Sequence, residues 1–240
     1  MGGETLFISD LHLDGSRPRI IDLCERFLLE RAARADALYV LGDLFEYWVG
    51  DDDPAEDMQR VIRALRSITD QGVATFFVHG NRDFLIGAEF SARSGVTLLP
   101  ELSVIDLYGQ PTLILHGDTL CTDDTAYQEL RVMLRNPAWQ QQFLALPLSE
   151  RHAQARALRD QSKEAVSDKA EAIMDVNQQT VEQTLLEHGV RHMIHGHTHR
   201  PAIHDFTLAD KPAQRIVLGD WYDQGSVLSC TPQGPTLETL

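Results

Sequence analysis

The sequence predicts a layered α/β fold, and three patterns lead to this prediction. Short apolar runs rich in β-branched and aromatic residues indicate buried strands. The five principal runs cover residues 6–8, 38–41, 76–78, 113–115 and 193–194. Apolar residues at helical spacing follow the first two runs, over residues 20–35 and 57–69. Strands that alternate with helices are typical of a layered α/β core.

The middle of the chain differs from the rest. Residues 123–187 show no strand pattern and are rich in good helix formers. Pro137 and Pro147 divide this stretch into several helices. Strand-like patterning returns near residue 194. We therefore predict a single domain over residues 1–240, with a core of residues 1–120 and 188–240 and a helical lid insertion of residues 121–187.

Composition argues against several classes of function. The formal net charge of −15 disfavours general nucleic-acid binding, which needs a basic surface. Cys24, Cys121 and Cys230 are widely spaced and odd in number, as expected for reduced thiols in a cytoplasmic protein. No basic and apolar signal segment opens the chain, and no stretch reaches the ~18 apolar residues of a membrane span. Any membrane contact is therefore expected to be peripheral.

Each of the five apolar runs ends in Asp, His or Asn, usually beside Gly. Ligands gather outside the carboxyl ends of strands in open α/β sheets, so we expect these side chains to meet at one edge. Imidazole, carboxylate and amide donors suit Mn, Fe or Zn better than Mg or a structural zinc. Seven donors exceed the need of one ion, which favours two ions that share a bridging carboxylate. The candidates are Asp10, His12, Asp43, Asn81, His116, His197 and His199.

Any one of these short motifs is more often turn chemistry than a metal ligand. The metal hypothesis therefore depends on the whole ordered set, D-x-H, G-D, G-N-R-D, H-G-D and G-H-T-H. Alternate residues of an extended segment point the same way, so D-x-H and H-x-H pairs can each hold one ion. We interpret His79 and His195 as hydrogen-bonded core histidines, and Asp220 as a turn residue or a carboxylate that supports a ligand.

This series of motifs resembles the calcineurin-like metallophosphoesterases. The resemblance covers the predicted core and implies a double-layered β-sandwich flanked by helices. It implies that Asp10, His12 and His199 hold the first ion. It likewise assigns Asn81, His116 and His197 to the second ion. Asp43 would bridge the two.

Arg82 departs from the general family pattern, which has His after the Asn. That His is often assigned to protonating the leaving group. Arginine, with a pKa above about 12, cannot act as a general acid near neutrality, but it can bind phosphate and neutralise developing charge. A phosphate leaving group needs little protonation, so Arg82 favours cleavage of a pyrophosphate over a simple ester. The alternative is that Arg82 forms only a surface salt bridge.

The predicted lid suggests the substrate class. Residues 131–169 contain seven Lys or Arg against four Asp or Glu. The same segment holds an apolar stripe that includes Val132, Leu134, Trp139 and Phe143. Such a stripe packs between helices or stays partly open to an apolar ligand or a bilayer. A basic and apolar lid over a phosphate-cleaving site suggests a lipid that carries phosphates.

Longer motifs, such as G-N-R-D-F at residues 80–84 and I-M-D-V-N at residues 173–177, resemble a pyrophosphatase branch of the family that acts on lipid-linked sugar nucleotides. This implies two Mn²⁺ ions that supply a hydroxide for attack on the nucleotide-side phosphorus, a peripheral place on the cytoplasmic membrane, and no obligate protein partner. It assigns catalysis to Asp43, Asn81, Arg82 and His116. It assigns substrate contacts to Asn81, Arg82, Asp124, Ser162, Val166, Lys169 and His197, of which Val166 departs from an often polar position.

Two alternatives stay open. One is a different metallophosphoesterase, such as a nucleotide phosphodiesterase or a protein phosphatase, which the lid and Arg82 disfavour. The other is a non-enzymatic scaffold of the same fold, which has no need to keep all seven ligands.

Overall fold

The computed structural model describes residues 3–167 and 175–240, without the side chains of residues 57 and 160–167. Over these residues the strands are β1 (Thr5–Ile8), β2 (Ala37–Val40), β3 (Ala74–Phe77), β4 (Thr97–Leu98), β5 (Ser103–Leu107), β6 (Gln110–Ile114), β7 (His192–His195), β8 (Ala202–Leu208), β9 (Lys211–Val217), β10 (Ser226–Thr231) and β11 (Gly234–Thr239). The helices are α1 (Pro18–Glu30), α2 (Glu56–Asp70), α3 (Ala88–Ser94), α4 (Thr125–Leu134), α5 (Pro137–Leu144), α6 (Leu148–Ser167) and α7 (Gln178–Glu187).

The strands form two sheets. One has the order β11-β10-β1-β2-β3-β4 and the other the order β5-β6-β7-β9-β8. Neighbours β1, β2 and β3 are parallel, as are β6, β7 and β9. The two sheets and their covering helices confirm the predicted α/β class. The five predicted strands do not share one open sheet, however, because β1, β2 and β3 lie in the first sheet and β6 and β7 in the second.

Alternation along the strands divides the core into layers. Phe7 belongs to the cluster between the sheets, with Ile194 and Ile216. Leu6 and Ile8 point to the other face, where they join the cluster under α1 and α2. Strand β1 is therefore buried on both faces, which explains its unbroken apolar run. A third cluster packs α7 on the outer face of the five-stranded sheet through Val181 and Leu185.

Helix boundaries follow local chemistry. Helix α1 begins with Pro18, whose fixed φ suits the first turn. It ends at Glu30, and a 3₁₀ turn over Ala32–Arg34 replaces the last part of the predicted helix. Pro137 opens α5, and α6 begins directly after Pro147, as the sequence predicts. Within residues 123–167 and 175–187 the chain forms helices and connections without strands.

Candidate metal centre

Loops that follow five strands bring the seven predicted ligands together. The loop after β1 carries Asp10 and His12, and the loops after β2 and β3 carry Asp43 and Asn81. From the second sheet, His116 follows β6, while His197 and His199 follow β7. The ligand atoms fall into two groups with one carboxylate between them.

The first group contains Asp10, His12 and His199. The Nε2 atoms of the two histidines lie 3.3 Å apart. Oδ1 of Asp10 lies 3.3 Å from Nε2 of His199 and 3.9 Å from Nε2 of His12. This buried oxygen has no hydrogen-bond partner, so it is available to a cation.

The second group contains Asn81, His116 and His197. Oδ1 of Asn81 lies 2.9 Å from Nε2 of His116 and 3.0 Å from Nδ1 of His197. The two nitrogens lie 3.2 Å apart. Three atoms of three different side chains thus converge on one point.

Asp43 lies between the two groups. Its Oδ2 atom is 3.8 Å from Nε2 of His12 and 3.7 Å from Nε2 of His116. Its Oδ1 atom accepts a hydrogen bond of 2.8 Å from the backbone N–H of Arg82. That bond fixes the carboxylate so that Oδ2 faces both groups, which is the arrangement that a bridging ligand needs.

The donor set fits a pair of divalent ions. Two ligand atoms about 2.1 Å from one ion lie about 3.0 Å apart at right angles and about 3.4 Å apart in a tetrahedron. The closest separations within the two groups run from 2.9 to 3.3 Å. Nδ1 of His116 donates to the carbonyl oxygen of Leu41 at 2.9 Å, which leaves the lone pair of Nε2 directed at the centre. Two sets of side chains could therefore each hold a metal ion, namely Asp10 with His12 and His199, and Asp10 with Asp43 and His116.

Backbone strain is concentrated at these ligands. Eight non-glycine residues of the described chain have positive φ, and five of them are predicted ligands. They are Asp10 (55°), His12 (48°), Asp43 (53°), His197 (69°) and His199 (55°). Left-handed conformations are uncommon outside glycine and persist only where the surroundings determine them, often at functional sites.

Glycines allow the ligand loops to approach each other. A Cβ atom on Gly80 would lie 2.1 Å from Oδ1 of Asp43. A Cβ atom on Gly196 would lie 2.2 Å from Oδ2 of Asp10. The G-N and G-H pairs therefore place a residue without a side chain against the carboxylate of another loop.

The electrostatics of the centre match a cation site. Burial alone would raise the pKa of Asp10, but the imidazoles of His199 and His116 hold it well below its usual range. Asp43 and Asp10 outweigh burial and raise the pKa of His116 to about 9. Burial and the adjacent His116 lower the pKa of His197 to about 4. The adjacent imidazoles of His116 and His197 thus do not both accept a proton, whereas a metal ion could accept the lone pairs of both rings.

Two supporting carboxylates escaped the sequence analysis. Asp83 is fully buried, and its oxygens accept the backbone N–H groups of Gly80 and Leu44 at 2.9 and 2.8 Å, which ties the β2 and β3 loops together. Glu46 is only 5% exposed, and its Oε2 atom lies 3.2 Å from Nδ1 of His12. The signal in the sequence is an acidic residue three positions after Asp43 in an apolar run.

The carboxylate of Glu46 also joins the candidate metal centre to helix α6. Oε1 of Glu46 lies 2.6 Å from Nε of Arg159 on α6. Burial opposes ionisation, but His12 and the cations of Arg82 and Arg159 outweigh it and lower the pKa of Glu46 to about 2.

The predicted supporting residues make the expected hydrogen bonds. Nε2 of His79 donates to the carbonyl oxygen of Ile86 at 2.7 Å. Nδ1 of His195 donates to the carbonyl oxygen of Gly196 at 2.8 Å. Asp220 accepts the backbone N–H of Tyr222 at 3.0 Å, and its other oxygen lies 3.8 Å from Nδ1 of His199.

The predicted substrate contacts divide into three sets. Asn81, Arg82 and His197 lie at or beside the centre. Asp124 caps α4 by accepting the backbone N–H of Tyr127 at 3.1 Å. Ser162 and Val166 fall on α6 where side chains are outside the described part of the chain, and Lys169 lies outside the described residues altogether.

Arg82 behaves unlike a surface salt-bridge residue. Its Nε atom is buried without a hydrogen-bond partner. Among the described residues it forms no ion pair with a carboxylate. The guanidinium lines a cleft between the candidate metal centre and helices α4, α5 and α6.

This cleft has a largely apolar lining and a volume of about 100 Å³. Leu134 on α4, Trp139 and Phe143 on α5 and Leu158 on α6 line it, opposite Phe84. The apolar stripe of residues 131–169 is therefore partly packed and partly open to solvent, since Phe143 is buried whereas Val132 on the outer surface is 72% exposed. No helix in the described parts of the chain combines the length and the apolar character needed to cross a membrane.

Comparison with known proteins agrees with this site. The family model of the calcineurin-like phosphoesterases matches residues 4–201, and the chain belongs to this family. Curated relatives named UDP-2,3-diacylglucosamine hydrolase match nearly the whole chain. The relative from Stenotrophomonas maltophilia strain R551-3 is 53% identical, with 98% of each chain covered. Those from Nitrosococcus oceani and Salmonella paratyphi B are 54% and 52% identical and cover 96% and 97% of this chain, and 92% and 97% of their own lengths.

Proposed function

We propose that the protein hydrolyses the pyrophosphate of UDP-2,3-diacylglucosamine to 2,3-diacylglucosamine 1-phosphate and UMP, in lipid A biosynthesis. The relatives named for this hydrolysis cover the chain almost completely. The observation that carries the proposal is the junction of two environments, a pair of metal-ligand groups and an apolar cleft, with Arg82 between them. A lipid that carries a pyrophosphate needs both.

The seven ligands would hold two Mn²⁺ ions, although Fe and Zn suit the same donors. When bound, such ions supply the nucleophile at neutral pH and neutralise phosphoryl charge. Asp10, His12 and His199 form one half of this cradle and Asn81, His116 and His197 the other. Asp43 would bridge them, as the two nearly equal distances from its Oδ2 atom suggest.

Arg82 would stabilise the charge that gathers on the phosphoryl oxygens. Its buried Nε–H has no partner among the described residues and is available to an oxyanion. Because the departing sugar phosphate is already a weak base, no acid has to protonate it. Attack is proposed at the uridine-side phosphorus, with the 1-phosphate as leaving group.

The helical insertion would act as the lid over the lipid. In this proposal residues 121–187 form the insertion, and residues 1–120 and 188–240 form the core. Asp124, Ser162, Val166 and Lys169 would contact the glucosamine part of the substrate, and the acyl chains would occupy the cleft beside Trp139 and Phe143. The outer surface of helices α4 and α5, where Val132, Met133 and Leu144 are exposed, would contact the cytoplasmic leaflet of the inner membrane peripherally.

Hydrolysis in isotopically labelled water tests the proposed bond cleavage. We expect one labelled oxygen in UMP and none in the sugar phosphate. Label in the sugar phosphate would show attack on the other phosphorus. A substrate panel separates the alternatives: faster turnover of nucleotide diesters or phosphoserine peptides than of the diacylated sugar nucleotide would favour another phosphoesterase.

A further inference from the structure

A second cavity lies on the outer face of the five-stranded sheet. It has a volume of about 230 Å³, and Thr198, His204 and Arg215 contribute to its lining. Arg215 points away from the layer between the sheets, since its neighbour Ile216 belongs to the cluster there. Thr198 lies between the ligands His197 and His199 in sequence, so the cavity is behind the loop that carries them.

Arg215 is a buried cation that forms no ion pair with any carboxylate whose side chain the structure describes. Its residue exposure is 8%, and its Nε atom is buried without a hydrogen-bond partner. Nη1 donates to Nε2 of His195 at 3.1 Å. No carboxylate in residues 3–159 or 175–240 lies within ion-pair distance of this guanidinium. Arginine is seldom buried unless it is paired, because desolvation of an uncompensated charge is costly.

Neither neighbour supplies the missing charge. His195 donates through Nδ1 to a backbone carbonyl oxygen and accepts through Nε2, so its ring is neutral. Asp175, another lining residue, pairs with Arg200 at 2.8 Å and lies beyond ion-pair distance of Arg215, although its charge acts on the Arg215 guanidinium.

A further polar group in the cavity lacks a partner. The Oγ1 atom of Thr198 is buried and makes no hydrogen bond to a residue that the structure describes. A hydroxyl can donate to an anion, and the ring N–H of His204 can do the same. The lining therefore combines the Arg215 guanidinium with two neutral donors, beside the ion pair of Arg200 and Asp175.

We propose that this cavity binds the phosphate group of a small phosphate monoester, with Arg215 as its counter-charge and Thr198 and His204 as additional donors. Guanidinium and phosphate match in charge and in planar hydrogen-bond geometry. This site is distinct from the metal centre, because residues 198 and 215 are not among the predicted ligands. It does not rest on the proposed function, since phosphate binding here needs no turnover.

Diffraction from crystals of the Mn²⁺-loaded protein soaked in selenate locates the anion directly. We expect an anomalous peak beside Arg215, separate from the Mn²⁺ positions. Selenate at the metal centre alone would overturn the proposal.

Titration calorimetry of the Mn²⁺-loaded protein gives a second test. Inorganic phosphate should show one more binding event in the wild type than in Arg215→Met, whereas the exposed control Arg191→Met should match the wild type. If Arg215→Met does not fold, the pair Thr198→Val and His204→Ala should weaken this event about tenfold or more, as expected for lost hydrogen bonds to a charged group. Equal binding in all variants would refute the site. Parallel titrations with UMP and glucosamine 1-phosphate distinguish the two sources of the monoester.

Discussion

Glu46 offers the sharpest test of how the metal centre is held. The substitution Glu46→Gln keeps the shape of the side chain and removes its charge. Two nitrogen atoms lie within ion-pair distance of the carboxylate, His12 Nδ1 at 3.2 Å and Arg159 Nε at 2.6 Å, and neither forms a well-directed hydrogen bond with another described residue. An amide has only one acceptor oxygen, so one of these donors must face an NH₂ group.

The size of the effect follows from this mismatch. A buried polar or charged group that loses the carboxylate beside it costs about 1–3 kcal/mol. Loss of the partner that orients a metal-bound histidine typically weakens metal affinity about 10–100-fold, which is about 1.4–2.8 kcal/mol. The two estimates agree, so we expect Mn²⁺ to bind Glu46→Gln 10–100-fold more weakly.

Free Mn²⁺ measured by electron paramagnetic resonance during titration gives the affinity without any assay of activity. At saturating Mn²⁺ the variant should recover most of its kcat, because the main expected effect of Glu46 is exerted through His12, a predicted metal ligand. Glu129→Gln on the exposed surface of α4 is the matched control. Unchanged Mn²⁺ affinity in a folded Glu46→Gln protein would refute a role for this carboxylate in holding His12.

Four further outcomes are expected. Asp43→Ala should bind fewer than two ions by elemental analysis and lose about a thousandfold or more in kcat, since a metal clamp contributes several kcal/mol; near-normal turnover would end the two-ion proposal. Arg82→Ala should lower kcat about 10²–10³-fold with partial recovery in Arg82→Lys, whereas an unchanged rate would favour the salt-bridge alternative. Ala155→Trp, which fills the cleft, should raise KM for long acyl chains more than the exposed control Ala157→Trp, and equal effects would place the acyl chains elsewhere. Burial raises the pKa of the Cys24 and Cys230 thiols to about 12, so iodoacetamide should modify them only when the protein unfolds, and rapid alkylation of the native protein would contradict this. The free energy of unfolding should also fall as pH rises from about 8.5 toward 12, because the thiols ionise in the unfolded chain before they do so in the folded protein.

The sequence predicts the central strands and most helices well. Strand β1 and its neighbours are buried on both faces, so their apolar runs are unbroken and easily recognised. Strands β4, β5 and β11 escape prediction, because they lie at sheet edges where exposed positions dilute the pattern. The division into two sheets is equally hidden, since pairing between distant strands leaves no local signal.

The candidate site shows the same contrast. Ligands at strand ends are visible because Asp, His and Asn interrupt apolar runs beside glycine. Glu46 and Asp83 stayed unassigned, since a carboxylate that holds a histidine or a backbone loop looks like any other acidic residue in a sequence. Their partners, His12 and the N–H of Leu44, become evident only once three loops are brought together.

The seven predicted ligands are shared between the two sheets, and this has a consequence for heat resistance. Four of them follow strands of the six-stranded sheet and three follow strands of the other. Bound ions would therefore cross-link the halves of the sandwich, and the sheets could not separate without releasing them. An ion present at a hundred times its dissociation constant adds about 2.7 kcal/mol to the free energy of unfolding. The melting temperature of this protein would then report the metal supply of its surroundings as much as the quality of its core.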